Sequence, residues 1–367
     1  MKKFFYRHKA EIIGLIIIII FTIINIIAIY LPDFSENYRK YIFSHVSDIW
    51  SRITGIVPFS IGEIMIYTGI IVVIGLVVLI ILGLFPLKKV KKIRNVYIKV
   101  FVYILVFAYG TETLNCFVLY HANSIEETMY CNINIDDSDE KLLEIYNHVT
   151  DKLNELGEKL NRDKNGDIIQ NYTYKECKEA LLNVNDSFPL LKGYFPNPKK
   201  LYSSGIMTQQ YLCGVYFPFS MEANYNYYMY PSNFPATICH ELSHLKGYIM
   251  EDEANFIAFV ACINSDNEFI QYSGYLSVYC YLYEELYNLD NVYIYEQMKG
   301  ISQNVYRDLT FVDEDKFKEI EDKSLVDTDS AKKASDKFID SNLKNNGVSS
   351  GIDNYNEVVR LLIYYYN

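Results

Sequence analysis

Positive charge is scarce in the rear of this chain. Of its 367 residues, the first 120 hold 13 Lys and Arg against 6 Asp and Glu, and the rest hold 21 against 39. So acidic a stretch repels a polyphosphate, which excludes nucleic acid as its partner. Histidine is rare as well, 6 in all, so two of them at metal-ligand spacing carry weight. The cysteines at 116, 131, 177, 213, 239, 262 and 280 are odd in number and lack a close CxxC pair. They exclude a zinc ribbon, give no disulfide framework, and read as buried thiols with one pair at most. No internal repeat or low-complexity linker is present. Disorder is excluded by 50% hydrophobic and 16% aromatic content. Mean hydropathy is nevertheless only +0.01, so apolar and charged residues must be segregated along the chain.

The segregation is at the front. Residues 12–31 and 64–87 are uncharged runs of twenty and twenty-four, each long enough at ~1.5 Å per residue to cross ~30 Å of hydrocarbon. Residues 100–120 form a third span that contains Glu112 and Asn115, which need an interface or a partner at depth. The first run is too long for a signal peptide and lacks a small-residue cleavage site, so it reads as an uncleaved anchor. Lys2, Lys3, Arg7 and Lys9 precede it, and Lys88, Lys89, Lys91, Lys92, Arg94 and Lys99 crowd the loop before the third span. Both basic segments belong in the cytoplasm, and the loop 32–63 has no such excess and faces outward. Three spans then carry residues 121–367, the second domain, to the extracytoplasmic side; were 100–120 to lie on the surface instead, that domain would be cytosolic. The first domain is 1–120, with the lipid bilayer as its partner.

Behind the spans, 136–162 reads as an amphipathic helix capped by Ser138, and 173–184 as a shorter one. Residues 199–230 are aromatic and β-branched, broken by Gly and Pro, and predict two or three short strands. Next comes TICHELSHLKGYIMEDEANFIAFVACINS. His240, Glu241, Leu242, Ser243 and His244 match H-E-x-x-H, and on a helix both imidazoles share a face and reach one Zn²⁺. Glu241 then lies beside the metal, where it serves as general base and later as acid.

A catalytic zinc needs a third protein ligand and an open position. Gly247 can adopt φ > 0 and turn the chain back, and Glu251 is the first carboxylate after the turn. Glu251 is therefore the first choice of third ligand, Glu253 the second and Asp252 the third, because a small change in the helix start would re-aim each. Asn255, one turn on, is placed to orient the Glu251 carboxylate. Tyr272 and Tyr275 are candidate oxyanion donors. His121 and His148 lack ligand spacing and read as surface or interface residues, and Glu112 as interfacial rather than a proton relay. The bland reading of HELSH is an amphipathic helix with two satisfied histidines, and of EDEAN a solvated helix start.

HELSH with a downstream E-x-x-A-N segment (Glu251, Ala254, Asn255) resembles the zinc-peptidase clan whose third ligand is Glu. More closely, PFSIGE (58–63), GVYFPFSMEAN (214–224), HELSHLKGY with EDEANF, YSGYL (272–276) and the terminal VVRLLIYYY resemble the uncharacterised bacterial membrane family called domain of unknown function 3810. The resemblance spans nearly the whole chain. It implies a metallopeptidase-like domain behind three spans and supplies no substrate. The expectation is a mostly α membrane protein, three spans followed by an α+β zincin-like domain with a small strand element. It would hydrolyse a peptide or protein substrate with Zn²⁺ held by His240, His244 and Glu251, and strand 214–226 would receive the substrate as an added strand. The alternative is a non-catalytic envelope protein whose domain is braced by zinc or metal-free. Oligomeric state is left open.

Overall fold

A computed structural model describes residues 9–83, 88–131 and 135–367. Lys2, Lys3 and Arg7 of the expected cytoplasmic segment, and the last four residues of the expected second span, lie outside the described residues. Among the described residues, three helices are long and apolar enough to cross a membrane. They are α1 (Lys9–Tyr30), α2 (Ile61–Leu82) and α3 (Lys88–Glu112). Ser60 caps α2 by accepting the N–H of Glu63 at 3.1 Å. The three run up, down and up. Lys99 pairs with Glu11 at 3.1 Å near the start of α1 and α3, and Tyr109 near the end of α3 bonds Thr22 at 3.1 Å and Asn25 at 3.2 Å. The connection 31–60 and the chain after 120 therefore leave the bundle at one end, and the lysine-rich start of α3 sits at the other.

The third span differs from the expected 100–120. Its apolar stretch starts ten residues earlier, at Val90, in a helix described from Lys88 onward. It then continues through a π turn, Thr113–Phe117, and Val118–Tyr120, whose Thr113, Asn115, Cys116, Val118 and Leu119 are buried in protein. Asn115 is thus not stranded in hydrocarbon; its amide donates to the carbonyl of Pro218 at 2.7 Å.

The rest of the chain is mostly helical, with one small sheet. Helix α4 (Asp139–Lys159) is shorter than the expected 136–162, ending where Leu160 turns extended, and Ser138 caps it. Its Leu142, Ile145, Tyr146, Val149, Leu153 and Leu156 enter the core. Helix α5 (Tyr174–Asn183) starts on a Thr173–Glu176 capping box. The strands are β1 (Lys199–Lys200), β2 (Gly214–Phe217) and β3 (Glu222–Tyr225), in the order β1-β3-β2, parallel then antiparallel. Helices α6 (Phe234–Leu245), α7 (Glu251–Ile263) and α8 (Glu268–Asn288) stack in succession, with the sheet against α6 and the terminal α9 (Val358–Tyr366) against α7 and α8. Cys116, Cys177, Cys213, Cys239, Cys262 and Cys280 form no disulfide.

Two carboxylates lock the bundle to this domain. Glu222 accepts the N–H of Gly62 at 2.8 Å and the hydroxyl of Ser220 at 2.7 Å, and it ion-pairs with buried Lys199. Lys199 also donates to the carbonyl of Thr54 at 2.8 Å. Glu63 accepts the N–H groups of Tyr202 at 3.0 Å and Ser203 at 2.6 Å. A side chain at Gly62 would strike the Phe217 ring, its Cβ only 2.7 Å from Cγ, so glycine there lets the sheet touch the start of α2. The segments PFSIGE and GVYFPFSMEAN are therefore two halves of one joint.

Candidate metal centre

Helix α6 starts with Pro235 in its first turn, where the missing N–H costs nothing. Four residues apart on it, the rings of His240 and His244 lie 4.6 Å between centroids and nearly perpendicular, with their Nε2 atoms 3.0 Å apart. The Nδ1–H of His244 donates to the carbonyl of Tyr248 at 2.9 Å, which leaves Nε2 as the ring nitrogen facing His240. Helix α6 ends because Gly247 takes φ +94, and a Cβ there would also crowd Arg39 and Phe43. The turn brings back α7, whose first residue is Glu251. Its Oε2 lies 3.2 Å from the Nε2 of His240 and 3.3 Å from that of His244. Ligand atoms of all three residues fall within 4.8 Å of one another.

The other two carboxylates of the cluster point elsewhere. Glu253 is buried and accepts the N–H of Ile125 at 2.6 Å, and Asp252 sits among Glu253, Glu357 and Asn354. Register explains this: with α7 starting at Glu251, positions one and two residues later are rotated by ~100° and ~200° away. Helix α7 has no side-chain cap of its own at Met250. Asn354 supplies one from the far end of the chain, its Oδ1 accepting the N–H of Glu251 at 3.0 Å and of Asp252 at 3.5 Å.

Glu241 is buried beside this group and its Oε2 has no partner. Strand β2 passes directly over it: a Cβ on Gly214 would lie 2.7 Å from both Cγ and Cδ of Glu241. Burial raises the Glu241 carboxyl to about 8, with Glu251 adding to the rise and His244 opposing it. Burial pulls both imidazoles down, and His240 stays low with His244 beside it. At His244 the Glu251 carboxylate overcomes burial and lifts the group to about 9. Burial likewise raises Glu251, but the two imidazoles outweigh it and hold the carboxyl well below its usual range.

Two imidazole nitrogens and a carboxylate oxygen thus converge on one point. The Oε2 of Glu251, like that of Glu241, is buried without a well-formed hydrogen bond, so two carboxylate oxygens are left with lone pairs to offer. That is the donor set a divalent cation fits. His240 and Glu251 each keep 14% of their side-chain surface exposed, which leaves an approach from solvent.

Of the remaining expected residues, Asn255 lies beside His240 and Tyr281 rather than orienting Glu251, and its Nδ2 is buried without a partner. The structure corrects the expectation for Tyr272 and Tyr275. Tyr272 donates to Asp308 at 2.7 Å within a buried network with Arg162, and Tyr275 packs on Phe259 and His148. Helix α8 places the Tyr272 ring against Gly157 of α4, while Ser273 of the same segment accepts the N–H of Ala236 in α6 at 3.1 Å. His121 stacks on Phe117. Of the tyrosines that feel the Glu251 carboxylate, Tyr120, Tyr281 and Tyr355, the last, in the 3₁₀ turn Gly351–Glu357, is pushed far up by burial and by both Glu251 and Glu241. No spacing ties it to HELSH, more than a hundred residues away.

Strand β2 is the outer strand of the sheet. The carbonyl of Cys213 accepts the N–H of Asn226 at 2.8 Å, which makes Val215–Asn224 and Phe217–Glu222 the hydrogen-bonded pairs of the ladder. The carbonyl of Tyr225 is used instead by Leu201 of the β1 side, at 3.2 Å. The peptide groups of Gly214 and Tyr216 therefore face the edge that no strand occupies.

A family model described as "Protein of unknown function (DUF3810)" matches residues 38–363. No curated protein and no solved structure matches the chain.

Proposed function

The chain belongs to the DUF3810 family, whose description carries no activity, and from its own residues we propose a membrane-anchored, zinc-dependent peptidase acting at the extracytoplasmic surface. The observation that carries the reading is the convergence of His240, His244 and Glu251 with an orphaned Glu241 carboxylate at their side. The nitrogen-rich donor set with one carboxylate, three ligands in all, is that of a catalytic zinc with a vacant position. Once bound, the ion would polarise the scissile carbonyl and acidify water beside it.

The chain supplies the remaining parts. The free Oε2 of Glu241 takes a proton and returns it to the leaving amine, and burial in an apolar site tunes that carboxyl upward for the task. The open peptide groups of Gly214 and Tyr216 hold an extended substrate as a fourth strand, directly above Glu241. Tyr355, beside both carboxylates, is the hydroxyl available to the developing oxyanion, in place of Tyr272 and Tyr275. The extracytoplasmic placement rests on the lysine-rich end of the bundle being opposite the domain.

Quenched-peptide libraries incubated with purified protein, with and without chelator, test the reading. Chelator-sensitive cleavage is expected. Glu241→Gln should keep the metal and lose turnover by roughly 10²–10⁴-fold, the usual worth of a positioned proton-transfer group. Metal without chelator-sensitive cleavage, or undiminished cleavage by Glu241→Gln, would leave a zinc-braced binding domain as the better account.

A further inference from the structure

Between α1 and α2 the chain does not form a loop. It runs as a continuous helix over 32–54, through Pro32–Tyr38, a π segment Arg39–Phe43 and Ser44–Thr54. The later part has two incompatible faces. Phe43, Ser47, Ser51 and Thr54 are buried against the domain, and the hydroxyl of Ser47 donates at 2.5 Å to the carbonyl of Leu245, the last residue of α6. On the opposite side Ile42, Val46, Ile49, Trp50 and Ile53 are each more than two fifths exposed, at the i, i+4, i+7, i+8 and i+11 spacing of a single stripe. A contiguous stripe of this kind marks an interaction surface. Its occupant follows from connectivity. The segment leaves one apolar span at Leu31 and enters another at Ile61, so it lies where the bundle meets the domain, the level of a bilayer surface. Tryptophan with aliphatic residues on one side and basic residues on the flank is the composition of a helix resting in that plane.

The flank is built as a site. A cavity of about 670 Å³ lies between this helix and the domain, with Arg39, Lys40, Arg52 and Lys192 in its wall against only Glu36 and Asp48. Both acids are already engaged. Glu36 pairs with Arg39, and Asp48 pairs with Arg52 at 3.0 Å and accepts the N–H of Tyr194 at 2.7 Å. Lys40 and Lys192 enter no ion pair among the described residues. Arg39 is 5% exposed and its Nε is buried without a partner. Positive charge left over in a cleft beside an apolar face calls for an anion with a hydrocarbon tail.

We propose that this cleft binds the phosphate-bearing headgroup of an anionic phospholipid, drawn from the leaflet in which the apolar face of the same helix rests. Lys40 and Lys192 bring their unpaired ammonium groups to the phosphate, Arg39 and Arg52 add positive charge from behind while paired with Glu36 and Asp48, and the stripe from Ile42 to Ile53 lies among the acyl chains. Since Ser47 touches the end of α6, the bound lipid would hold the metal helix at a fixed height over the membrane. The proposal does not depend on the metal, and none of these residues belongs to the candidate centre.

The test uses the full chain in nanodiscs holding equal phosphatidylglycerol and phosphatidylcholine, released for native mass spectrometry. Phosphatidylglycerol should be retained selectively. Lys40→Glu with Lys192→Glu, both exposed, should reduce that retention about tenfold or more, the removal of two charges at a membrane surface. Trp50 is the only tryptophan of the chain, so its emission reports the helix alone. Brominated lipids should quench it in the wild type and in the double variant, which also shows that the variant is folded and seated. Equal retention of both lipids, retention unchanged by the double reversal, or displacement by an equimolar amount of free glycerol 3-phosphate would overturn the headgroup site. Emission quenched by aqueous acrylamide but not by brominated lipid would overturn the membrane seat.

Discussion

Gly214→Ala isolates the contact on which the placement of Glu241 depends. Gly214 does not have a positive φ, so the backbone accepts alanine, and the three atoms nearest the added methyl all belong to Glu241, with Cγ and Cδ at 2.7 Å. Ordinary contact begins near 3.4 Å, so β2 or the carboxylate must move. Forced overpacking of this kind costs about 1–3 kcal/mol. For a soluble portion of roughly 250 residues each kcal/mol is worth ~2–4 °C, so the melting temperature should fall by roughly 2–12 °C. In a Glu241→Ala background the obstacle is gone, and Gly214→Ala should be neutral or slightly stabilising, by about 0.4–1 kcal/mol through the unfolded chain. Thermal denaturation of the four proteins gives the coupling energy directly. Gly300→Ala, with nothing within 4 Å of the new methyl, serves as the control. A loss just as large when Glu241 is already alanine would refute the reasoning, because the strand would not then be resting on that side chain.

Two further outcomes follow from the joint and the cap. Glu222→Ala leaves the Lys199 ammonium buried with no carboxylate, together with the Gly62 N–H, and should cost about 3–5 kcal/mol in a denaturation assay; Glu222→Leu with Lys199→Met should recover much of it. Asn354→Ala uncaps α7 and should lower stability by about 1 kcal/mol, while metal affinity falls by roughly 10–100-fold as Glu251 loses its aim, measured by competition with a chromophoric chelator.

Local pattern carried the sequence a long way. Apolar run length located the spans, Ser138 and Thr173 marked two helix starts, and the i, i+4 spacing of His240 and His244 with the glycine turn at 247 singled out Glu251 ahead of Glu253 and Asp252. What escaped was set by tertiary packing. The third span reaches back to Val90 rather than 100 because the basic run before it reads as a loop, and the partner that spares Asn115, the Pro218 carbonyl, lies far along the chain. Gly214, Asn354 and Tyr355 act on the centre from strands and turns far along the chain, with no periodicity to tie them to it. Tyr272 was a sound guess by residue type that the facing of α8 turned elsewhere. The helix 32–54 passed for a loop because its apolar stripe is interrupted by the basic and small residues of its other two faces.

The central claim is that two imidazoles and Glu251 grip one divalent ion with a coordination position open. Zinc content measured by mass spectrometry on protein purified from metal-replete medium, joined to X-ray absorption at the zinc edge, tests it most directly. The account predicts one zinc per chain with two nitrogens and an oxygen near ~2.0–2.2 Å, lost in His244→Ala and kept in Glu241→Gln. Substoichiometric metal unaffected by His244→Ala, or a shell closed by four protein ligands, would contradict it.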